Sequence, residues 1–306
     1  MATTTSTLTT EDFQRGGAAY PSTWHFDKDL PEDRKNIEKT FKLLREYSGI
    51  PADKVEEHVH DIRTKAWEVF PYPCIGSWRF LADYMEEFPE YPEVISRLKG
   101  GETFLDAGCC FGQVLRHLYY DGVPAENLIG TDLYPKFIEQ GYDLFRDEGK
   151  CGFKFVTGDM LNHSDPSLDC LDGKIDIIHG TFLFHLFDRE DQIKLATRLV
   201  KFFKPDAKNA LIVGRHTGQA EPLDPFETWT LDKLKRFLHT PSTWQALWDE
   251  VGELTGTKWV TTAEVVDLKL LDIDDNYWAK RKEITGDPNA PKTLRFCQYR
   301  YSVRKV

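Results

Sequence analysis

Three aspartates stand at the ends of three successive apolar runs: Asp106 in TFLDAGCCFGQ, Asp132 in NLIGTDL and Asp159 in GFKFVTGDM. At the carboxyl end of a parallel strand each can do distinct chemistry. Asp106 suits a cationic amino-acid-like group. Asp132, followed by Leu133, can accept both hydroxyls of a ribose. Asp159 can accept from an exocyclic amine while Met160 or Leu161 covers a ring face. Together they suggest a ligand that carries an amino acid, a ribose and an adenine. The turn after Asp106 is Ala107-Gly108-Cys109-Cys110-Phe111-Gly112. Counted from Gly108, it puts Cys110 at the second glycine of a dinucleotide fingerprint and Gln113 at the third, so that fingerprint fails twice. A cofactor without phosphates relaxes the demand for close backbone approach at that second glycine. The alternative for the aspartates is helix N-capping at strand-to-helix turns. Cys109 and Cys110 read as small packed side chains, because a disulfide between adjacent cysteines is strained.

A second group of residues faces the question of what the ligand reacts with. The run after the fourth β-like segment, Gly180-Thr181-Phe182-Leu183-Phe184-His185, brings Phe182 and His185 to the mouth of the site. A hydroxyl or amine acceptor would need a general base, with His185 the first candidate and His216 the second. A structural histidine is the competing reading of both. A carboxylate acceptor is ionised at neutral pH and needs no base. Arg215 could then hold it by a two-pronged contact. Aromatic side chains in PFETWT and STWQALW, Phe226, Trp229, Trp244 and Trp248, could line a lipophilic pocket; core packing is the better account of Trp244 and Trp248, which share a helical face.

These residues need a scaffold of alternating elements. From residue 103 the sequence shows five β-like runs, 103–108, 127–133, 152–159, 175–180 and 210–216, with helix-compatible stretches between most of them. That alternation indicates an α/β, doubly wound, mostly parallel sheet. Two further extended runs, 258–271 and 293–306, have only a polar loop between them and should form an antiparallel C-terminal hairpin. Residues 30–99 are patterned as helices, with Ile37, Phe41, Leu44 and Tyr47, then Val55, Val59, Ile62, Ala66 and Val69, at helical spacing. SWRFLADYMEEF should resume the helix. The expected organisation is a flexible tail over 1–29, a helical cover over 30–99 and the main domain over 100–306.

Composition narrows the class. The chain has 306 residues, 41% of them apolar, enough for a sizeable core. A net charge of −11 opposes a nucleic-acid backbone or an anionic membrane as main partner. No run is long and apolar enough to span a bilayer, and the N-terminus lacks the pattern of a secretory signal, so the cytoplasm is the default compartment. Six scattered cysteines without a CxxC imply neither a disulfide framework nor zinc; the His58/His60 pair reads as solvated surface, and no metal is expected.

The ordered set D-A-G-C-C-F-G, T-D-L, G-D-M and FFKPD at 202–206 resembles the class I S-adenosylmethionine-dependent methyltransferases. The resemblance implies a Rossmann-like seven-stranded sheet and S-adenosyl-L-methionine as cofactor, held by Asp106, Gly108, Cys110, Gly112, Asp132, Leu133, Asp159 and Met160. RTKAWEVFPYPCIGSWRFL, followed by LDAGCCFGQ, is similar to fungal secondary-metabolite methyltransferases that act on a carboxyl group of meroterpenoid intermediates. This narrower likeness implies a lipophilic terpenoid-type acid as substrate, a methyl ester as product and a possible homodimer. It also implies that Tyr72 and Trp78 close over the cofactor; Tyr72, Phe182, Arg215, His216 and Trp229 are expected toward the acceptor. A hydroxyl methyltransferase using His185, a non-catalytic binding subunit and an NAD-dependent dehydrogenase are the rival readings.

Overall fold

The computed structural model describes residues 26–219, 228–229, 236–272 and 293–306. The expected tail, 1–29, falls almost wholly outside them. Each of the seven predicted runs is a strand: β1 Phe104–Ala107, β2 Leu128–Asp132, β3 Lys154–Thr157, β4 Ile177–His179, β5 Leu211–Gln219, β8 Trp259–Asp272 and β9 Thr293–Lys305. Two-residue strands β6 Thr228–Trp229 and β7 Arg236–Phe237 pair with each other, apart from this sheet. The seven-stranded order is β3-β2-β1-β4-β5-β9-β8. β1 to β5 are parallel, and β9 is antiparallel to both its neighbours. The expected hairpin is therefore present in a modified place. β9 inserts between β5 and β8, so the antiparallel strand is internal and the edge strand β8 runs in the direction of the parallel five. Succession along the sheet reverses between β1 and β4, where a doubly wound sheet opens a crevice at its carboxyl edge.

Helices α5 Gln113–Tyr120, α6 Pro135–Phe145, α7 Arg189–Phe202 and α8 Pro241–Thr255 fill the crossovers and the approach to β8. On α8 the capping box of Thr240 and Thr243 fixes the start and Gly256, in the left-handed region, the end. Trp244 and Trp248 of α8 are fully buried with Trp259, Tyr299 and Tyr301, so they belong to the core as their shared face suggested.

The N-terminal segment supplies α1 Glu38–Glu46, α2 Val55–Val69, the short α3 Pro73–Gly76 and α4 Tyr91–Lys99. The stripes Ile37, Phe41, Leu44 and Val55, Val59, Ile62, Ala66 are buried against Phe111 of the glycine turn and Phe137, Leu144 and Phe145 of α6. The cover thus rests on the parts of the main domain that shape the crevice. α4, grouped with the cover by its sequence, packs instead with the sheet: Val94 and Leu98 join Phe104, Ile177 and Leu211. The helix expected over SWRFLADYMEEF does not form. Two 3₁₀ turns, Arg79–Leu81 and Met85–Glu87, replace it, because Trp78 stands at φ 63 and Ala82 is extended, and neither conformation continues a helix.

One buried ion pair ties these layers. Arg116 of α5, fully buried, donates through Nε and Nη2 to Asp147 at 2.9 and 2.8 Å and through Nη1 to the carbonyls of Phe111 and Gly112 at 2.8 and 3.2 Å. Tyr47 of the cover donates to the same Asp147 carboxylate at 2.8 Å. Gly112, at φ 63, is required here because a Cβ would lie 2.6 Å from the Arg116 guanidinium. Replacing Arg116 by Met leaves the buried Asp147 without a cation, with the Tyr47 hydroxyl still donating to it. We expect a loss of about 3–5 kcal/mol in urea unfolding, with cofactor binding weakened because the turn loses its clamp.

Candidate active site

A cavity opens at the carboxyl ends of β1 to β4, where the strand order reverses. Its floor is the turn after β1. Gly108 stands at φ 74, and Cys110 adopts the left-handed region at φ 50 without being glycine. Such a backbone persists only where its surroundings hold it. Asp132, at the end of β2, does so: one carboxylate oxygen accepts the N–H of Cys110 at 2.8 Å and the other that of Tyr134 at 3.0 Å. Burial raises the Asp132 carboxyl to about 6, against the pull of those backbone N–H donors. The same burial pushes the Cys109 and Cys110 thiols well above the usual range, which suits packed side chains and not redox ones.

Asp106 has a partner that sequence reasoning missed. It is opposite His179 in the β1–β4 register, which puts both side chains side by side. His179 Nδ1 lies 2.7 Å from the Asp106 carboxylate, and its Nε2 2.6 Å from Thr181 Oγ1. Thr181 in turn accepts the N–H of Arg215 at 3.2 Å. With Nδ1 donating and Nε2 accepting, His179 satisfies every member of this chain and orients Asp106, which lines the cavity. The only advance signal was the position of His179 at the end of IDIIH, one strand away from Asp106.

The cavity collects Asp106, Gly108, Cys110, Asp132, Leu133, Asp159 and Met160 of the predicted cofactor residues, and Tyr72, Phe182 and His185 of the predicted acceptor residues. Gly112 is absent from the lining and acts on the far side of the turn, against Arg116. Trp78 also lies behind the wall, buried under the Arg63 guanidinium, which is 3.6 Å from its ring centroid. Arg215 does not line the cavity: its guanidinium is paired with Glu87 at 2.9 Å and Gln298 at 2.9 Å, and stands over the ring of Tyr84. A two-pronged contact from Arg215 to an acceptor is thereby preempted. His216 is likewise outside, stacked on Tyr301 at 4.4 Å and kept neutral by burial. The Trp229 and Phe226 side chains lie outside the described residues. Lining residues that the sequence reading did not assign to the site include Arg79, Tyr84, His179, Thr181 and Arg236.

A model of the meroterpenoid methyltransferase N-terminal domain matches residues 24–81, and a methyltransferase domain model matches residues 104–206. O-methyltransferase phiE of Fungal sp. (strain ATCC 74256) is 37% identical over 275 residues, spanning 88% of each chain. The Asnovolin E/Chermesin D methyltransferase nvfJ of Aspergillus novofumigatus is 37% identical over 243 residues, covering 78% of this chain and 84% of its own. The chain belongs to this family of fungal secondary-metabolite methyltransferases. Among solved structures, a putative sarcosine dimethylglycine methyltransferase from Galdieria sulphuraria shares the fold, with a TM-score of 0.50 at 14% identity over 81% of this chain and 98% of that one.

This methyltransferase uses S-adenosylmethionine, and its own residues fit that molecule. Gly108 offers a turn without a side chain, as close contact with an amino-acid tail requires; a Cβ there would lie 3.1 Å from Leu183. Of the residues lining the cavity, Asp106 could take a cationic amino group, Asp132 with Leu133 the ribose hydroxyls, and Asp159 with Met160 an adenine. Among the described residues no group of three or more His, Cys, Asp or Glu side chains could hold a metal ion, and no helix is long and apolar enough to cross a membrane.

Asp132 accepts hydroxyl donors best when ionised, so binding should favour the state above its pKa of about 6. Calorimetric affinity for S-adenosylhomocysteine is expected to be constant above pH 7 and to weaken about 10-fold on going to pH 5, as protons compete for the carboxylate. In Asp132→Asn that dependence should vanish and affinity should be low throughout.

Proposed function

We propose that the enzyme O-methylates a carboxyl group of a lipophilic, terpenoid-type acid in secondary-metabolite biosynthesis, giving a methyl ester. The observation that carries this reading is the state of His185. It lines the cavity half-buried, and desolvation together with the charges of Arg236 and Arg79 pulls its imidazole down to about 3. A base that weak lies about seven units below a phenol it would have to deprotonate, and further still below an aliphatic alcohol. General-base methylation of a hydroxyl is correspondingly disfavoured. A carboxylate arrives already ionised and asks for no proton transfer.

The acceptor class is supported by where the N-terminal segment contributes. Residues 24–81, matched by the meroterpenoid methyltransferase model, supply Tyr72, Pro73, Cys74, Arg79 and Phe80 to the cavity wall. Those side chains are apolar or aromatic apart from one guanidinium, as a hydrocarbon skeleton bearing one acid group would need. The relative named for asnovolin E and chermesin D shares this segment's family.

When bound, S-adenosylmethionine supplies an electrophilic methyl group on a sulfonium. The residues present can orient the acceptor oxygen and exclude water from a reaction in which opposite charges disappear. Phe182, at φ 53, and Tyr84 meet edge to face at 5.9 Å and form part of that apolar screen.

The reading is tested by His185→Gln. For a carboxylate acceptor kcat should fall less than 10-fold and stay flat from pH 6 to 9, whereas loss of a general base would cost at least ~10²-fold. Mass spectrometry of the product should show a methyl ester that mild alkali cleaves; an ether would refute the assignment.

A further inference from the structure

We propose that Arg79 receives the carboxylate of the acceptor and thereby selects acids over neutral terpenoids. The inference rests on the carboxyl-methylation reading above and names the residue that performs the selection.

The cavity is divided by charge. Asp106, Asp132 and Asp159 stand at the strand ends on the cofactor side, while Arg79 and Arg236 bring positive charge beside His185. Arg215, the cation that sequence position favoured, is neutralised by Glu87. Arg79 differs from it. Among the described residues its guanidinium has no hydrogen-bond or ion-pair partner, although it is only partly exposed and lines the cavity. Its charge is felt by three groups around that wall: it lowers the pKa of His185 and opposes the upward shifts that burial imposes on Tyr84 and Cys74. A guanidinium facing an apolar cavity without a protein partner is matched to an anionic ligand.

The backbone before Arg79 supports the same assignment. Trp78 occupies the left-handed region at φ 63, an outlier for a bulky side chain. The conformation is held by indole Nε1 bonds to the carbonyls of Asp27 and Asp29, at 3.2 and 2.8 Å, and by the Arg63 guanidinium over the ring. Strain fixed this firmly sets the direction of the next residue, and the next residue is Arg79.

One guanidinium prong can hold one carboxylate oxygen and leave the other to react. That oxygen's lone pair forms the new O–CH3 bond as the methyl–sulfur bond breaks with its electrons passing to sulfur; no proton moves. Because the acceptor's negative charge disappears along this path, Arg79 attracts the ground state more than the transition state. Its removal should therefore appear in KM and not as a loss of kcat.

The test measures methyl transfer to terpenoid carboxylic acids paired with their primary alcohols, beginning with farnesoic acid and farnesol, in wild type, Arg79→Met and Arg79→Lys. Unchanged affinity for S-adenosylhomocysteine establishes that the variants keep the cofactor site. We expect Arg79→Met to raise KM for the acid ~10²-fold with kcat undiminished, and Lys to restore part of it. Acids methylated with an unchanged KM in Arg79→Met, or with a fall in kcat alone, would overturn the role of Arg79 and leave carboxyl methylation standing. A wild-type preference for the alcohols would overturn both.

Discussion

The bond from the Cys110 N–H to the Asp132 carboxylate is the contact on which the cofactor side of the site depends. It joins the turn after β1 to the end of β2 and stabilises a left-handed backbone at a residue with a side chain, where glycine would adopt it freely. The turn is gripped from below as well, by Arg116 through the carbonyls of Phe111 and Gly112. A floor constrained from both sides lets Asp106 and Asp132 keep their positions without a ligand to organise them. The double cysteine is accommodated because Cys109 is buried, Cys110 is half-buried, and desolvation pushes both thiols toward their neutral form.

The acceptor side is built differently. Its walls come from elements far apart in the chain: the N-terminal segment around Tyr72 and Arg79, the turn after β4, and the segment around Arg236. The cover packs on α6 and on Phe111, so the acceptor chamber and the cofactor turn share one apolar cluster. Burial in that chamber has a chemical consequence. It weakens histidine as a base while leaving guanidinium groups charged, because arginine keeps its proton where histidine loses it. Under the proposed carboxyl methylation, a chamber of this kind would favour acceptors that bring their own negative charge.

The placement of three acidic residues at the cavity was legible in the sequence because its rule is local. In a parallel strand followed by a turn, the residue at the strand's carboxyl end faces the crevice, so Asp106, Asp132 and Asp159 could be read directly. The seven strands were legible for a similar reason, since short apolar runs bounded by turns keep their identity in most contexts. The internal place of β9 was not, because two strands joined by a loop carry no statement of which one contacts the sheet. The expected helix after Ser77 failed where a single backbone angle at Trp78 outweighed a good apolar pattern.

By itself the sequence determined the fold class, the order of the acidic strand ends and the mismatch with a dinucleotide turn. All three follow from spacings of a few residues along the chain. Only the tertiary structure decided which cations and histidines reach the cavity. Arg215 and His216 sit one strand end away from the site, yet Glu87 and Gln298 neutralise and tether the first, and Tyr301 and Trp244 enclose the second. His179 and Arg79 gained their places through partners 73 and 51 residues away, Asp106 to His179 across two strands and Asp27 to the indole that aims Arg79. A side chain's charge and direction depend on such distant neighbours, and no local pattern specifies them.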